Sequence, residues 1–149
     1  MQMYKIEDVK EFMSLLLIKE NFDKFCVGSV ELKTLVPISI QGTLQEDWLS
    51  EEERELYAGN EYASWKLLRP MVFSLIKGKQ TPQMMRIQFV HSFDNGDCGG
   101  LRIQFEKGKL TCISMYTAAT FTLDKSAEQV WDDQCAEFLR KNGIVSTLL

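Results

Sequence analysis

The chain has 149 residues, a formal net charge of −4 and a hydrophobic fraction of 45%. This length is typical of one domain, and the composition supplies enough apolar surface for a hydrophobic core. The negative charge repels nucleic acids and anionic membranes unless a local basic patch overrides it. We find no repeat, low-complexity segment or linker, so we expect residues 1–149 to form a single domain.

Targeting and redox features point to a cytoplasmic protein. The apolar run Leu15–Ile18 is far too short to span a bilayer, and charged residues throughout segment 1–11 are not typical of a signal peptide. The sequence has no CxxC pair and no zinc-ligand spacing among its four cysteines, Cys26, Cys98, Cys112 and Cys135. We therefore expect a cytoplasmic location, no membrane partner, reduced thiols, and no metal or other cofactor.

The first half of the chain predicts a helix followed by β structure. Apolar residues at helical spacing predict a helix over residues 7–19. Between Val30 and Leu44, apolar and polar residues alternate, which is typical of a half-buried strand. Pro37 interrupts this pattern, so we expect either a bent edge strand or two short strands with a turn nearby.

Two further helices are predicted before the middle of the chain. Ser50 and Glu53 have the spacing of a capping box, which predicts a short acidic helix over residues 51–57. A longer helix should cover residues 61–77, with Gly78 as its cap. Pro70 lies inside this helix and should kink or break it, because proline removes a backbone donor and clashes one turn back.

Three strands are predicted next, over residues 85–93, 101–106 and from Lys109 towards Phe121. Opposite residues of an antiparallel pair share a face, so apolar residues should be opposite apolar residues. This rule favours Phe89 opposite Ile103 and His91 opposite Leu101, with a loop over residues 94–98 or a bulge.

The last helix should start after Ser126, which has capping-box spacing to Gln129, and should end at Asn142-Gly143 with Ile144 folded back. Its inward face is predicted to hold Ala127, Val130, Trp131, Cys135, Phe138 and Leu139. The complete pattern predicts an α+β fold, with an antiparallel sheet of about four to five strands packed against three or four helices.

His91 is the only histidine, and it lies on a predicted apolar strand face. We interpret it as a packed, hydrogen-bonded core residue. The alternative is a general base, because histidine titrates near neutral pH. No nucleophile motif supports that alternative, and the residues Asp94 to Asp97 are explained by turn chemistry rather than by a cation loop.

Charge is segregated along the chain. Acidic residues are concentrated between Glu46 and Glu61, whereas residues 62–93 contain bases and no acid. A basic helix face with aromatic residues can bind phosphates or stack bases. The candidate anion site consists of Tyr62, Lys66, Arg69, Phe73, Lys77, Lys79 and Arg86. Our preferred interpretation is that the acidic segment 46–55 covers and neutralises this face.

The run WKLLRPMVFSLIKGKQTP, from Trp65 to Pro82, resembles the signature of a small family of uncharacterised bacterial proteins, which we associate with anaerobic Gram-positive bacteria. The strand end Ile40–Gly42 and the helix start Ser50–Glu52 fit the same pattern, so the resemblance covers nearly the whole chain. It implies a stand-alone cytoplasmic domain of unknown function, and it supplies no catalytic residues.

Three functional hypotheses follow. The first is a non-enzymatic small binding or protein-interaction domain, with homodimerisation as one form of that interaction. The absence of a catalytic constellation favours a non-enzymatic function. The second is an anion or nucleic-acid binder that uses the basic helix 62–79, although the net charge disfavours nucleic acid. The third is an enzyme with His91 as its base.

Overall fold

The computed structural model describes residues 1–76 and 81–149, and its centre is an antiparallel sheet. The strands are β1 (Gln2–Ile6), β2 (Cys26–Lys33), β3 (Pro37–Gln41), β4 (Met84–Ser92), β5 (Cys98–Glu106), β6 (Lys109–Thr117) and β7 (Ser146–Leu148). The helices are α1 (Val9–Leu17), α2 (Glu51–Leu56), α3 (Trp65–Ile76) and α4 (Ser126–Lys141), with a short 3-10 turn at Glu46–Trp48.

The strands lie side by side in the order β3-β2-β4-β5-β6-β1-β7, and each pair is antiparallel. The α+β class and the antiparallel sheet are therefore confirmed. The predicted number of four to five strands is wrong, because the described residues form seven strands. The sequence analysis missed β1 and β7, which are short and pair with each other although almost the whole chain separates them in sequence.

The core lies on one face of the sheet. A row of directly paired, buried residues crosses five strands through Val30, Ile87, Ile103, Cys112 and Tyr4. Residues of α1, α3 and α4 belong to the same buried cluster, so these helices cover this face. The next row belongs to the opposite face and is polar, with Glu31, Arg86, Gln104, Thr111 and Lys5. A one-sided antiparallel sheet explains the alternation in the sequence.

The segment around Pro37 forms two strands, which was one of the two predicted arrangements. β2 and β3 form a hairpin, and Pro37 is the first residue of the edge strand β3, where a missing N–H is tolerated. The capping box at Ser50 is confirmed, since both of its reciprocal hydrogen bonds are present. The first helix is also confirmed, although it is shorter than predicted at both ends.

The long helix begins later than predicted because its first residues are used as β structure. Thr43 bridges to Tyr62 and Cys26 bridges to Ser64, so α3 starts only at Trp65. The helix continues through Pro70, so the alternative of a break is wrong. The predicted cap at Gly78 lies outside the described residues.

The register of the β4–β5 hairpin differs from the prediction by two residues. Phe89 is opposite Leu101 and His91 is opposite Gly99. The turn holds only Asp94–Gly96, and the Phe93 N–H donates to the Asp97 carbonyl over 2.9 Å. Gly96 has φ of 91°, which supplies the left-handed residue of a three-residue loop. The prediction that apolar residues of the two strands share one face of the sheet was therefore correct, but the loop that joins the strands is shorter than expected.

The last helix differs from the prediction at its start. Lys125 occupies the capping position without a side-chain hydrogen bond, and the Asp124 carboxylate accepts from the Ser126 N–H over 2.9 Å. The predicted capping box at Ser126 is therefore wrong, and Ala127 and Val130 are exposed rather than inward. The end is as predicted: Gly143 has φ of 69°, and buried Ile144 donates its N–H to the Leu139 carbonyl.

A largely buried ion pair joins α3 to the segment after α1. The Arg69 guanidinium donates to both oxygens of Asp23, over 2.9 and 3.1 Å, and to the Ile18 carbonyl over 3.2 Å. The two side chains are only 19% and 10% exposed. A bidentate pair at this depth is stronger than an exposed one, so it holds the start of β2 against α3.

We expect Asp23→Asn to lower the free energy of unfolding by about 1–3 kcal/mol, because it removes the counter-charge of a largely buried guanidinium. Urea unfolding followed by circular dichroism measures this change. Glu31→Gln is the matched control: the Glu31–Arg86 side chains are 42% and 35% exposed, so we expect a loss below about 1 kcal/mol. Equal losses in the two variants would contradict this assignment.

Candidate functional site

A cavity of about 290 Å³ lies between α4, the ends of β4 and β5, and the segment that enters β2. Most of its lining is apolar or aromatic. The lining residues are Lys24, Phe25, Cys26, Phe89, Val90, His91, Leu101, Trp131, Gln134, Cys135 and Phe138. Two of the elements that surround the cavity, β4 and β5, are interior strands of the sheet, and each is hydrogen-bonded to a neighbour on both sides.

Aromatic side chains form the inner wall of the cavity. Phe89, which is buried on β4, has its ring centroid 5.2 Å from Phe25, and Phe25 is 4.8 Å from Phe138 on α4. Phe22 is fully buried behind them and stacks on Phe89 at 5.8 Å. These contacts join three separate parts of the chain, and they give the cavity an aromatic surface that suits an apolar ligand.

Trp131 closes one side of the cavity. Its indole N–H donates to the Gly100 carbonyl over 3.0 Å, so the polar end of the ring is satisfied on β5. A Cβ atom at Gly99 would lie 2.6 Å from the Trp131 ring, which is closer than two carbon atoms approach without displacement. The absence of a side chain at Gly99 is therefore what lets the indole lie against the strand.

His91 is exposed at the edge of this site, so its interpretation as a packed core residue is wrong. The β4 face that carries Ile87 and Phe89 extends beyond the core, and His91 lies where that face meets solvent. Its ring stacks on Trp131 at 5.7 Å with an interplanar angle of 12°, and it meets the edge of Phe93 at 4.7 Å. Within the described chain, no hydrogen bond to the imidazole is present, so no carboxylate orients it as a general base.

Polar groups are few and lie at the rim. Lys24, Gln134 and His91 are exposed polar residues of the lining. The other hydrogen-bonding side chains of the lining are two thiols and the indole of Trp131, whose N–H is already bonded to Gly100. Cys26 is half-buried, whereas Cys135 is buried. Burial raises the pKa of the Cys135 thiol to about 12, so this group stays neutral and behaves as a small apolar residue.

The residues of the candidate anion site are distributed over two faces of the protein. Arg69 on α3 is paired with Asp23, and Arg86 on the opposite face of the sheet is paired with Glu31. Tyr62 is held in its bridge to Thr43, and Phe73 packs against the core. Lys66 is exposed on α3, while Lys77 and Lys79 lie outside the described residues.

The acidic segment has a different role from the one expected. In residues 1–76 and 81–149 no ion pair joins segment 46–55 to Lys66 or Arg69. Instead, the Arg54 guanidinium folds back to the carbonyls of Glu46 and Asp47. Trp48 and Leu67 line a shared groove, so this segment lies beside the apolar side of α3 rather than over its charges.

In the turn after β4, local hydrogen bonds are made to the carboxylate of Asp97. Asp97 accepts from the Ala119 N–H over 2.8 Å, from the Tyr116 hydroxyl and from the Asn95 amide. These bonds lower the pKa of Asp97, the largest contribution coming from Ala119. Among the described residues, no group of three or more His, Cys, Asp or Glu side chains could hold a metal ion, and no helix is long and apolar enough to cross a membrane.

Sequence reasoning named several lining residues, such as His91 and Trp131, but did not bring them together. Lys24 and Phe25 had no periodic pattern, because they lie in a turn. One signal was available: two consecutive glycines, Gly99 and Gly100, directly before the alternating run that starts at Leu101 indicate a close approach by another part of the chain. Its partner could not be deduced, since Trp131 is more than thirty residues away in the sequence.

Comparisons with known proteins identify a family. No curated protein and no solved structure matches the chain. A family model described as a family of unknown function, DUF5721, matches residues 15–98 and 97–146, which together cover most of the chain. The chain therefore belongs to DUF5721, a family of unknown function.

Proposed function

We propose that this domain is a non-enzymatic binding module that holds a small organic molecule in the cavity beneath α4. The observation that carries the proposal is the cavity itself, which is aromatic, open to solvent at a polar rim and supported by two interior strands. Its volume of about 290 Å³ is close to the lower end of the roughly 300–1,000 Å³ range of small-molecule sites.

The chemistry of the lining favours binding over catalysis. A general base needs a partner that orients it, and a nucleophile needs a base within hydrogen-bond reach. The lining contains one histidine, no carboxylate and two thiols. Burial raises the pKa of the Cys135 thiol to about 12, and within the described residues no hydrogen bond joins His91 to either thiol. Stacking between His91 and Trp131 instead gives a flat aromatic edge on which an apolar ring can pack.

The other hypotheses stay as predictions. The anion site on α3 is weakened as a proposal, because Arg69 and Arg86 already have carboxylate partners. Self-association as a homodimer and a cytoplasmic location remain expectations from the sequence analysis, and a bacterial origin remains what the family resemblance implies. Sedimentation velocity at several protein concentrations measures the first of these directly.

The binding proposal predicts that phenylnaphthylamine, an uncharged dye that fluoresces in apolar sites, binds saturably with one site per chain. Gln134→Phe should abolish this binding, because a phenyl ring at the rim fills the opening of the cavity. Fluorescence titration measures both affinities, and circular dichroism checks that the variant is folded.

Asp133→Phe is the matched control for this variant. Asp133 is the neighbouring exposed residue of α4 and does not line the cavity, so the same new ring should leave dye binding unchanged. Unsaturable binding by the wild type, or equal binding by the two variants, would show that the dye does not occupy this cavity.

Alanine substitutions at two adjacent glycines test the position of Trp131, because their added methyl groups would project to opposite faces of β5. Gly99→Ala places a methyl group against the indole, so we expect a loss of about 1–3 kcal/mol in the free energy of unfolding and weaker dye binding. The indole N–H resonance of Trp131 should also shift in the NMR spectrum, because its bond to Gly100 is disturbed.

Gly100→Ala is the control for that change. Its methyl group would meet the end of the flexible Gln88 side chain on the other face, which can move aside. We expect little change in stability, dye binding or the Trp131 resonance. If the two alanine variants behaved alike, Trp131 would not depend on the space above Gly99.

A further inference from the structure

The rim of the cavity carries hydrogen-bond donors and no acid. Of the eleven lining residues, none is Asp or Glu, although the chain as a whole has 21 acids and 17 bases. Lys24 offers an ammonium group, Gln134 offers an amide and His91 offers an imidazole. All three lie beside aromatic surface, so a ligand that fills the cavity presents its outer end to donors.

Lys24 is the group that gives the rim its charge. Across the described part of the chain, no carboxylate lies within 4 Å of its ammonium group. An exposed lysine without an ion pair is ordinary by itself, and Lys66 is another example. The location distinguishes Lys24, because this exposed residue lines a mostly apolar cavity.

Neighbouring acids do not neutralise this rim. The carboxylate of Asp23 is directed to Arg69, and Glu137 on α4 is paired with Arg140. Asp133 lines the adjacent groove on the other side of Gln134 rather than the cavity. An anion beside Lys24 therefore meets a positive charge at close range, and the acids nearest in sequence are either paired or lie outside the cavity.

We propose that the ligand is an amphipathic organic anion, with an apolar body in the cavity and one carboxylate- or sulfonate-type group at Lys24. This inference rests on the proposed function, since it names the chemical class that the same cavity accepts. The apolar body supplies most of the affinity through burial against aromatic side chains. The anion stays at the solvent-exposed rim, so it gains the attraction of Lys24 with little desolvation cost.

The test compares two dyes that share one ring system. Anilinonaphthalene sulfonate is phenylnaphthylamine with an added sulfonate, so their affinity ratio isolates the contribution of the negative charge. The wild type should bind the sulfonate about two- to fivefold more tightly, as expected for an exposed charge pair. Lys24→Met should remove this preference and Lys24→Glu should reverse it, and the measured quantity is the ratio of the two dye affinities within each variant.

Lys66→Met is the matched control, because Lys66 is exposed and unpaired within the described residues but does not line the cavity. It should leave both affinities unchanged. Added salt should weaken binding of the sulfonate and not of the uncharged dye, because an exposed pair is screened.

Each result distinguishes the two proposals. Equal affinities that do not respond to Lys24→Met, with both dyes lost in Gln134→Phe, would overturn the anionic class and leave the cavity as a binding site. Loss of the sulfonate preference in Lys66→Met instead of Lys24→Met would place the anion on α3 and contradict the inference. If the wild type bound neither dye saturably, both proposals would be wrong.

Discussion

The close approach of Trp131 to strand β5 is the contact on which the candidate site depends. The indole lies where a side chain at Gly99 would otherwise project, and its N–H donates to the neighbouring Gly100 carbonyl. These two features fix the start of α4 over the sheet. His91, which is paired with Gly99 across the ladder, then stacks on the same indole. The geometry of the rim therefore follows from the absence of one side chain.

The loop between β4 and β5 decides which residues meet at this point. In the register expected from the sequence, Leu101 would be opposite His91. The three-residue turn closed by Gly96 shifts the pairing by two residues, so Gly99 takes that place and Leu101 moves next to Phe89 in the cavity floor. A two-residue shift preserves which face each side chain occupies. This is why the core could be predicted from alternation alone, whereas the site could not.

Charge pairing shows the same limit on prediction. The segregation of acids and bases along the chain suggested that the acidic segment neutralises the basic helix. The structure pairs Arg69 with Asp23 and Arg86 with Glu31, and both partners are more than forty residues away in the sequence. The Ser50 capping box and the glycine end of α4 could be predicted from the sequence, because the groups that form their hydrogen bonds lie within a few residues of each other. Partners that are distant in the sequence and meet only in the tertiary fold could not be predicted in this way.

The cavity itself has a physical origin in the sequence of α4. On the helix surface towards the sheet, Trp131 and Phe138 are large, and Cys135 between them is small. A small residue between two aromatic rings leaves a gap that neighbouring side chains do not fill. Protein interiors are close-packed, and an unfilled apolar gap reduces the stability of the empty fold. A molecule that binds only the folded state stabilises it by RT ln(1 + L/Kd), where L is the free ligand concentration. Ligand binding at this site and the stability of the α4–sheet packing are therefore expected to be coupled, because the same aromatic surfaces supply both.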